Sequence, residues 1–344
     1  MKNLERAVIA AVVVSAVLMS PVNASFEPLG VGPRAIGLSN AYTAIGDDVY
    51  SIYYNPAGIS RLQRAEFASY FGTMYRGLTD NSNLSQVFVG FGQPMGSLGD
   101  IAFSYYSFEL SSWYRESMIT LAYSKSMSLG FMSGISGGFD GLSTRTMNIG
   151  VSLKNLTKEH SDPDGWTTDA VESDGLRRGS SDPVFSNGGY SKNGITADLG
   201  IQFTPASGYT VGIAILNLME PDLGLQHADP VTREIKIGVS RAVNSVTMVA
   251  DLSSKQFVEA DNRLAIGAEK YFFSGIGVRG GMAIGLNREF NQVTFGFSYK
   301  AEGLQFDYGL LLPLHGIGDA FGNHRIGLTF KFGKIYQKGE DIYW

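Results

Sequence analysis

The sequence predicts an all-β protein, a transmembrane antiparallel β-barrel of about 14 strands with a small N-terminal hatch in its lumen. Three observations support this prediction: a leader typical of exported proteins, apolar residues at every second position, and a composition low in charge and rich in glycine. Charged residues are 17% of the 344-residue chain and 43 residues are glycine, whereas roughly 25% of an ordinary soluble domain is charged. Few charges are therefore available to cover a large solvated surface.

The same composition excludes several function classes. A net charge of −5 gives no basic surface for nucleic acid. The absence of cysteine rules out disulfide frameworks, thiolate zinc sites, iron–sulfur clusters and cysteine nucleophiles. We therefore expect no nucleic-acid partner and no cofactor.

The first segment, residues 1–24, has the pattern of a secretory signal peptide. A basic start precedes the apolar run Ala7–Met19, and Val22-Asn23-Ala24 fits a small-residue cleavage site. The run of 13 residues is short for a helix that crosses a bilayer, which needs about 20 residues. An uncleaved N-terminal anchor is the alternative. We expect cleavage, with a mature chain that starts near Ser25.

Alternation of apolar residues with small or polar ones predicts the strands. Large apolar residues occupy every second position in 293–299, 304–310 and 326–332. A soluble sandwich also alternates, but its strands cluster near 5–6 residues, whereas spanning strands need roughly 9–11. The segment lengths favour a barrel whose apolar face meets lipid. The predicted strands are 65–76, 83–94, 98–109, 115–125, 146–157, 193–204, 209–218, 232–242, 245–254, 261–272, 275–287, 291–300, 303–313 and 323–333.

The segment before the first strand does not alternate. It contains Gly30-x-Gly32-Pro33-Arg34 with Gly37, the pair Asp47-Asp48, and Asn55-Pro56-Ala57-Gly58. Such turn-rich backbone needs a shielded and partly wet place, which a barrel lumen supplies. The predicted organisation is a signal peptide at 1–24, a hatch at 25–64, the barrel at 65–333 and a C-terminal periplasmic tail at 334–344.

The stretch GVGPRAIGLSNAYTAIGDDVYSIYYNPAGIS resembles the hatch of FadL-type outer-membrane transporters for long-chain fatty acids and other hydrophobic compounds. It resembles still more closely the hatch of PorV-like proteins, the FadL-related barrels associated with type IX secretion. ADLGIQFTP, RLAIGAEKYF and HRIGLTFKFG are also similar to the PorV-like branch. The resemblance implies fourteen strands and a plug that gates passage. The hatch residues that it implies are Gly32, Arg34, Gly37, Asp47, Asp48, Asn55, Pro56, Ala57 and Gly58.

Charged residues on the inward face of the strands form a second candidate set. One interpretation is a lattice of ion pairs that clamps the hatch, and the other is a polar lining that governs passage. Charges belong inside in either case, because they are costly on the lipid face. Inward glycines at 200, 238, 267, 296, 309 and 327 are expected to leave room for the plug. The lining candidates are Asp198, Glu234, Lys236, Asp251, Glu269, Arg279, Lys300, Asp307 and Lys331.

No motif predicts catalysis or a metal site. Gly134–Gly138 matches G-x-S-x-G but lacks the following helix and partners of a nucleophile elbow. Asp162–Gly165 has the wrong spacing for a calcium loop, and Gly30–Gly37 follows no strand, as a dinucleotide loop must. The four histidines have no metal-ligand spacing. We expect a protein that is not an enzyme.

Two functions fit these observations. The first is a bacterial outer-membrane channel that passes hydrophobic or amphipathic small molecules, with the hatch as gate. The alternative is a PorV-like protein that binds or shuttles exported proteins. The long hydrophilic loop 158–192 favours the alternative, since a fatty-acid collecting site needs an apolar surface. The expected partners are outer-membrane lipid, a hydrophobic ligand and, for the alternative, a secreted protein or secretion machinery at loop 158–192.

Overall fold

The computed structural model is a closed antiparallel barrel of fourteen strands, in which the first strand pairs with the last. This confirms the fold class and the strand number predicted from the alternation. The strands are β1 Ala65–Met74, β2 Leu84–Pro94, β3 Asp100–Leu110, β4 Tyr114–Ser128, β5 Thr146–His160, β6 Ser191–Ala206, β7 Tyr209–Leu216, β8 Glu234–Val243, β9 Val246–Lys255, β10 Asn262–Phe272, β11 Ile276–Gly285, β12 Asn291–Ala301, β13 Leu304–Pro313 and β14 Asn323–Phe332.

The structure describes most of the barrel and everything inside it that is discussed below. The described residues are 25–77, 83–128, 146–161, 179, 190–206, 208–225, 227–255, 261–272, 275–286, 291–314 and 321–336.

The outer face of the wall is apolar and the inner face is polar. On β12, Phe295, Phe297 and Tyr299 are 40–56% exposed, whereas Thr294 and Ser298 between them are buried. A closed ring of hydrogen-bonded strands leaves no unpaired edge, so this face can meet lipid without exposing backbone polar groups. Among the described residues, no helix is both long and apolar enough to span a membrane.

The two ends of the barrel differ in their connections. One end, which we call the turn end, has tight connections such as those between β8 and β9 and between β12 and β13. Asn244 and Gly303 adopt φ angles of 53° and 71° in these two turns, as tight hairpin turns require. The opposite end, which we call the loop end, holds segment 217–233.

Segment 217–233 completes the wall where β7 is short. β7 has eight residues and pairs with β6 only from Leu199 onward. Beyond that point, the Leu218 amide donates to the Ala197 carbonyl at 2.9 Å. Leu223 and Val231 from this segment are almost fully buried, so it packs against the lumen contents and closes the loop end on this side.

Residues 25–64, which we call the inner segment, lie within the barrel. They form helix α1 (Pro33–Ile36), helix α2 (Ser51–Tyr54) and a 3-10 helix (Pro56–Arg61). Helices of this length are unstable alone in water, so their packing against the wall must hold them. The core of the protein therefore lies between the inner segment and the wall. Its fully buried residues include Val31, Leu38, Tyr42, Ile52, Ile59, Leu62, Phe88 and Leu156.

Glycines on the inner face give the inner segment its space. A Cβ on Gly150 would lie 2.3 Å from the Pro56 carbonyl carbon, and one on Gly212 would lie 2.3 Å from the Thr43 carbonyl oxygen. Both contacts are with backbone, which cannot rotate away. Of the six glycines expected to leave room for a plug, Gly296 faces mainly the Arg279 stem instead. A Cβ on any of the other five would lie within 3.0 Å of an inner-segment atom, a backbone atom at Gly309 and a side-chain atom at Gly200, Gly238, Gly267 and Gly327.

Candidate functional site

A buried arginine ties the inner segment to the wall. Arg34 of α1 donates from Nη2 and Nε to the two carboxylate oxygens of Glu269 on β10, at 2.6 and 3.0 Å. Its Nη1 lies 2.6 Å from Asp47 and 3.4 Å from Asp48. We call these four residues the Arg34 cluster. A bidentate guanidinium–carboxylate pair fixes distance and angle together, so the cluster sets how α1 sits against the wall.

The pKa values of the two aspartates in the Arg34 cluster shift in opposite directions. Burial would raise the pKa of Asp47, but the positive charges around it, Arg34 foremost and then Arg61, together hold that pKa well below its usual range. Burial raises the pKa of Asp48, and the charge of Asp47 adds to the increase. The Tyr42 hydroxyl donates to Asp48. Of the two carboxyl groups, Asp47 beside the arginine is therefore the one that more strongly favours the ionised form.

Two hatch glycines occupy places where no side chain fits. Gly32 precedes α1 with a φ of 84°, and its Cβ would lie 2.8 Å from the Tyr50 ring. A Cβ on Gly58 would lie 2.6 Å from the Gly46 carbonyl oxygen. The hatch motif thus contains glycine at these positions because the chain folds tightly on itself.

Asn55 is the second anchor of the inner segment. Its Oδ1 accepts from the Ala57 amide at 3.1 Å and caps the 3-10 helix that Pro56 begins. Its Nδ2 donates to the carbonyls of Thr43 at 2.9 Å and Ile201 at 3.1 Å. One fully buried side chain therefore joins two parts of the inner segment and β6.

Replacing Asn55 with alanine is expected to lower the free energy of unfolding by about 1–3 kcal/mol, because it leaves buried backbone groups without their partner. The measurement is urea unfolding of protein folded into lipid vesicles. Asn83, which is exposed, is the matched control, and Asn83→Ala should change the same quantity by less than about 0.5 kcal/mol. Equal effects of the two substitutions would show that Asn55 is no anchor.

The structure places all nine lining candidates on the inner face, and four of them contact the inner segment. Glu269 binds Arg34, and the Asp251 carboxylate accepts from the amides of Tyr42 and Thr43 at 2.9 and 2.8 Å. The others are Lys236, whose ammonium lies 5.3 Å from the Tyr54 ring centroid, and Arg279, whose stem lies 2.6 Å from a Cβ built on Gly37.

The remaining five interact mainly within the wall. Their partners lie on the same strand, on the adjacent strand or two strands away, so they form a lattice across the inner face. The contacts are Asp198 with Lys154 at 2.7 Å, Glu234 with Lys236 at 3.9 Å, Lys300 over the Tyr271 ring at 3.9 Å, Asp307 with Arg279 at 3.1 Å, and Lys331 with Glu66 at 2.5 Å.

Sequence reasoning missed several wall residues that hold the inner segment, and Gln202, Glu66 and Arg325 are three of them. The Gln202 amide donates to the carbonyls of Thr43 and Gly46, both at 3.1 Å. The Glu66 carboxylate accepts from the Val49 amide at 3.2 Å, and Arg325 donates to the Leu29 carbonyl at 2.9 Å. All three occupy inward positions of the strand alternation. A large polar side chain at such a position was the available signal.

Cavities lie on both sides of the inner segment. The loop-end cavity has a volume of about 220 Å³ and the turn-end cavity about 260 Å³. The turn-end cavity is strongly charged, with Arg61, Arg64 and Lys300 among its lining residues. The loop-end cavity combines apolar and charged groups, including Leu29, Met74, Ala283, Leu311, Lys236, Asp251 and Arg263.

The described residues contain no candidate metal site. Within the described ranges, no three His, Asp or Glu residues are grouped so that they could hold a metal ion. Gly134–Gly138, Asp162–Gly165, His315 and most of loop 158–192 lie outside the described residues.

Comparison with known proteins identifies the fold. No family model and no curated protein matches the chain. Among solved structures, the toluene transporter TbuX of Ralstonia pickettii is similar with a TM-score of 0.59 and 12% identity, covering 90% of this chain and 100% of the transporter. The CymD monoaromatic hydrocarbon channel is similar with a TM-score of 0.59 and 13% identity, covering 90% of this chain and 99% of the channel. A Pseudomonas aeruginosa FadL homologue is similar with a TM-score of 0.55 and 11% identity, covering 88% of this chain and 98% of the homologue.

These similarities cover 88–90% of this chain, at identities that establish the fold and nothing finer. They do not support the PorV-like branch that the sequence motifs had favoured. The chain has the fold of the FadL-type outer-membrane barrels.

Proposed function

We propose that this protein is an outer-membrane channel for hydrophobic or amphipathic small molecules, with the inner segment as its gate. The observation that carries the proposal is a closed barrel with an apolar exterior, whose lumen is blocked by a packed segment between two cavities. A solute that travels along the lumen must displace part of this segment.

The loop-end cavity supports a ligand of small size and mixed polarity. An apolar cavity of about 150 Å³ is enough to hold benzene, and this one has a volume of about 220 Å³. Apolar side chains supply most contacts in ligand sites, and a few polar groups orient the ligand. Here Leu29, Met74 and Leu311 can supply the apolar contacts, and Lys236 and Arg263 can orient the ligand.

Two independent features support a location in the outer membrane. The predicted leader directs export, and the apolar outer face of a closed barrel needs lipid around it. The names of the similar structures, a toluene transporter and a monoaromatic hydrocarbon channel, fit transport better than catalysis. Nothing in the described residues favours the secretion-partner alternative.

The gate can be tested with an engineered disulfide. The hydroxyl oxygens of Ser39 and Thr294 lie 2.9 Å apart, and one belongs to the inner segment and the other to β12. The contact brings the two side chains together, which a disulfide between the same positions also requires. The chain contains no cysteine, so Ser39→Cys with Thr294→Cys creates a single possible bridge that ties the inner segment to the wall.

The assay is uptake of a radiolabelled monoaromatic hydrocarbon into proteoliposomes whose outer leaflet contains lipopolysaccharide. Oxidation of the double variant should reduce uptake to the rate of protein-free vesicles, and reductant should restore it. Each single cysteine variant should be insensitive to oxidant. Unchanged uptake by the oxidised double variant would contradict gating by the inner segment.

A further inference from the structure

The inner segment begins in an acidic pocket at the loop end. Ser25 is 6% exposed. Its backbone nitrogen lies 3.4 Å from Oδ1 of Asp229, and its hydroxyl donates to the other oxygen of the same carboxylate. The next amide, from Phe26, donates to Oε1 of Glu116 at 2.8 Å. Two carboxylates, one from segment 217–233 and one from β4, thus face the first two residues.

The two carboxylates of this pocket differ in their contacts. Lys158 donates to Asp229 at 2.6 Å and supplies one positive charge. Glu116, which is 4% exposed, receives only neutral donors, the Phe26 amide and the Tyr114 hydroxyl at 2.6 Å. Ser25, Phe26 and Glu116 also line a small cavity together with three lysines. Lys154 and Lys255 pair with Asp198 and Glu27 at 2.7 and 2.8 Å, and Lys236 lies 3.9 Å from Glu234. A cation beside a buried carboxylate offsets the cost of burying that charge, so this pocket suits a positive charge on the Ser25 nitrogen.

We propose that this pocket is the receiving site for the α-ammonium group of the mature chain. Hydrolysis of the Ala24–Ser25 bond adds water: Ala24 leaves with a carboxylate, and the Ser25 amine takes up a proton. An α-amino group has an ordinary pKa of about 7.7–8.0, so it is mostly charged at neutral pH. Cleavage therefore converts one neutral amide donor into a cation with three donors, beside Asp229 and next to the Phe26–Glu116 contact.

This inference rests on the predicted leader and is independent of the transported ligand. In the precursor, the same nitrogen can make only an uncharged hydrogen bond. In the mature chain it forms an ion pair that joins the start of the inner segment to segment 217–233. Removal of the leader thus completes the attachment of the inner segment at the loop end.

The test uses full-length protein exported to the outer membrane. Mass spectrometry of the N-terminal peptide should show a chain that starts at Ser25. Two changes then remove the ion pair: a Gly-Gly insertion between Ala24 and Ser25, which moves the ammonium away by about 7 Å, and Asp229→Asn, which removes the carboxylate charge. The readout is the rate at which trypsin cuts the inner segment in detergent micelles.

Each change should accelerate cleavage by about 5- to 30-fold, since proteolysis follows the population of the opened state. The two changes together should be no faster than Asp229→Asn alone, because the insertion removes nothing further once the carboxylate charge is gone. Glu302→Gln, an exposed acid at the turn end, is the matched control and should leave the rate unchanged.

A mature chain that starts at another residue would overturn the proposal. So would an unchanged cleavage rate after the Gly-Gly insertion, or additive effects of the two changes. The insertion decides the matter by itself if Asp229→Asn fails to assemble, because it alters no residue of the pocket.

Discussion

Replacing Arg34 with methionine is expected to destabilise the folded protein by about 3–5 kcal/mol, because it leaves buried carboxylates without their cation. Glu269 would lose its two hydrogen bonds from Arg34, at 2.6 and 3.0 Å, and Asp47 would lose a single hydrogen bond from Arg34 at 2.6 Å. Methionine keeps most of the side-chain volume, so the loss reports charge and hydrogen bonding. The measurement is the free energy of unfolding in urea, with the protein folded into lipid vesicles.

Arg115 offers the matched control. It pairs with Glu109 at 2.8 Å, but its side chain is 50% exposed, and an exposed ion pair contributes at most about 1 kcal/mol. Adding Glu269→Met to Arg34→Met should recover part of the lost stability by removing one of the orphaned carboxylates. If Arg34→Met costs no more than Arg115→Met, the Arg34 cluster does not hold the inner segment.

The second large effect is expected from Gly150→Val, which should force the inner segment away from the wall and open the lumen to ions. A Cβ at this position would lie 2.3 Å from the Pro56 carbonyl carbon and 2.4 Å from the Ala57 nitrogen. Both are backbone atoms of the inner segment, so no side-chain rotation relieves the clash. The measurement is the conductance of single proteins in a planar bilayer, which should rise from a closed baseline to a steady open level.

Gly280→Val separates this clash from any general effect of valine in a strand. The nearest atom to a Cβ on Gly280 is the Thr294 carbonyl oxygen, at 3.6 Å, which is an ordinary contact. This variant should remain closed. Equal conductance for the two valine variants would mean that the inner segment tolerates displacement without opening a path.

The fold could be predicted from the sequence because its main determinant is local. The alternation of apolar with small or polar residues along β12 and β13 indicates which side chains face lipid. The pairing of neighbouring strands follows from the short turns. The end of β7 is harder to predict. The alternation predicts a strand over 209–218, whereas β7 ends at Leu216. Segment 217–233 continues the wall through contacts with β6 that no local pattern encodes.

The site was only partly predictable, because its contacts join residues far apart in the chain. Arg34 and the Asp47-Asp48 pair were candidates from the hatch motif, and Glu269 from its inward position. Their meeting across 235 residues depends on barrel closure and on where the inner segment settles. Gln202 carried no motif, so its two hydrogen bonds to the inner segment became visible only in the structure.

The central claim is that the inner segment must move for a solute to pass. Hydrocarbon uptake by the Ser39→Cys, Thr294→Cys protein, compared before and after oxidation in the same vesicles, tests it most directly. The account predicts that uptake stops when the bridge closes and returns when it is reduced. Uptake that continues at the same rate with the bridge closed would contradict it.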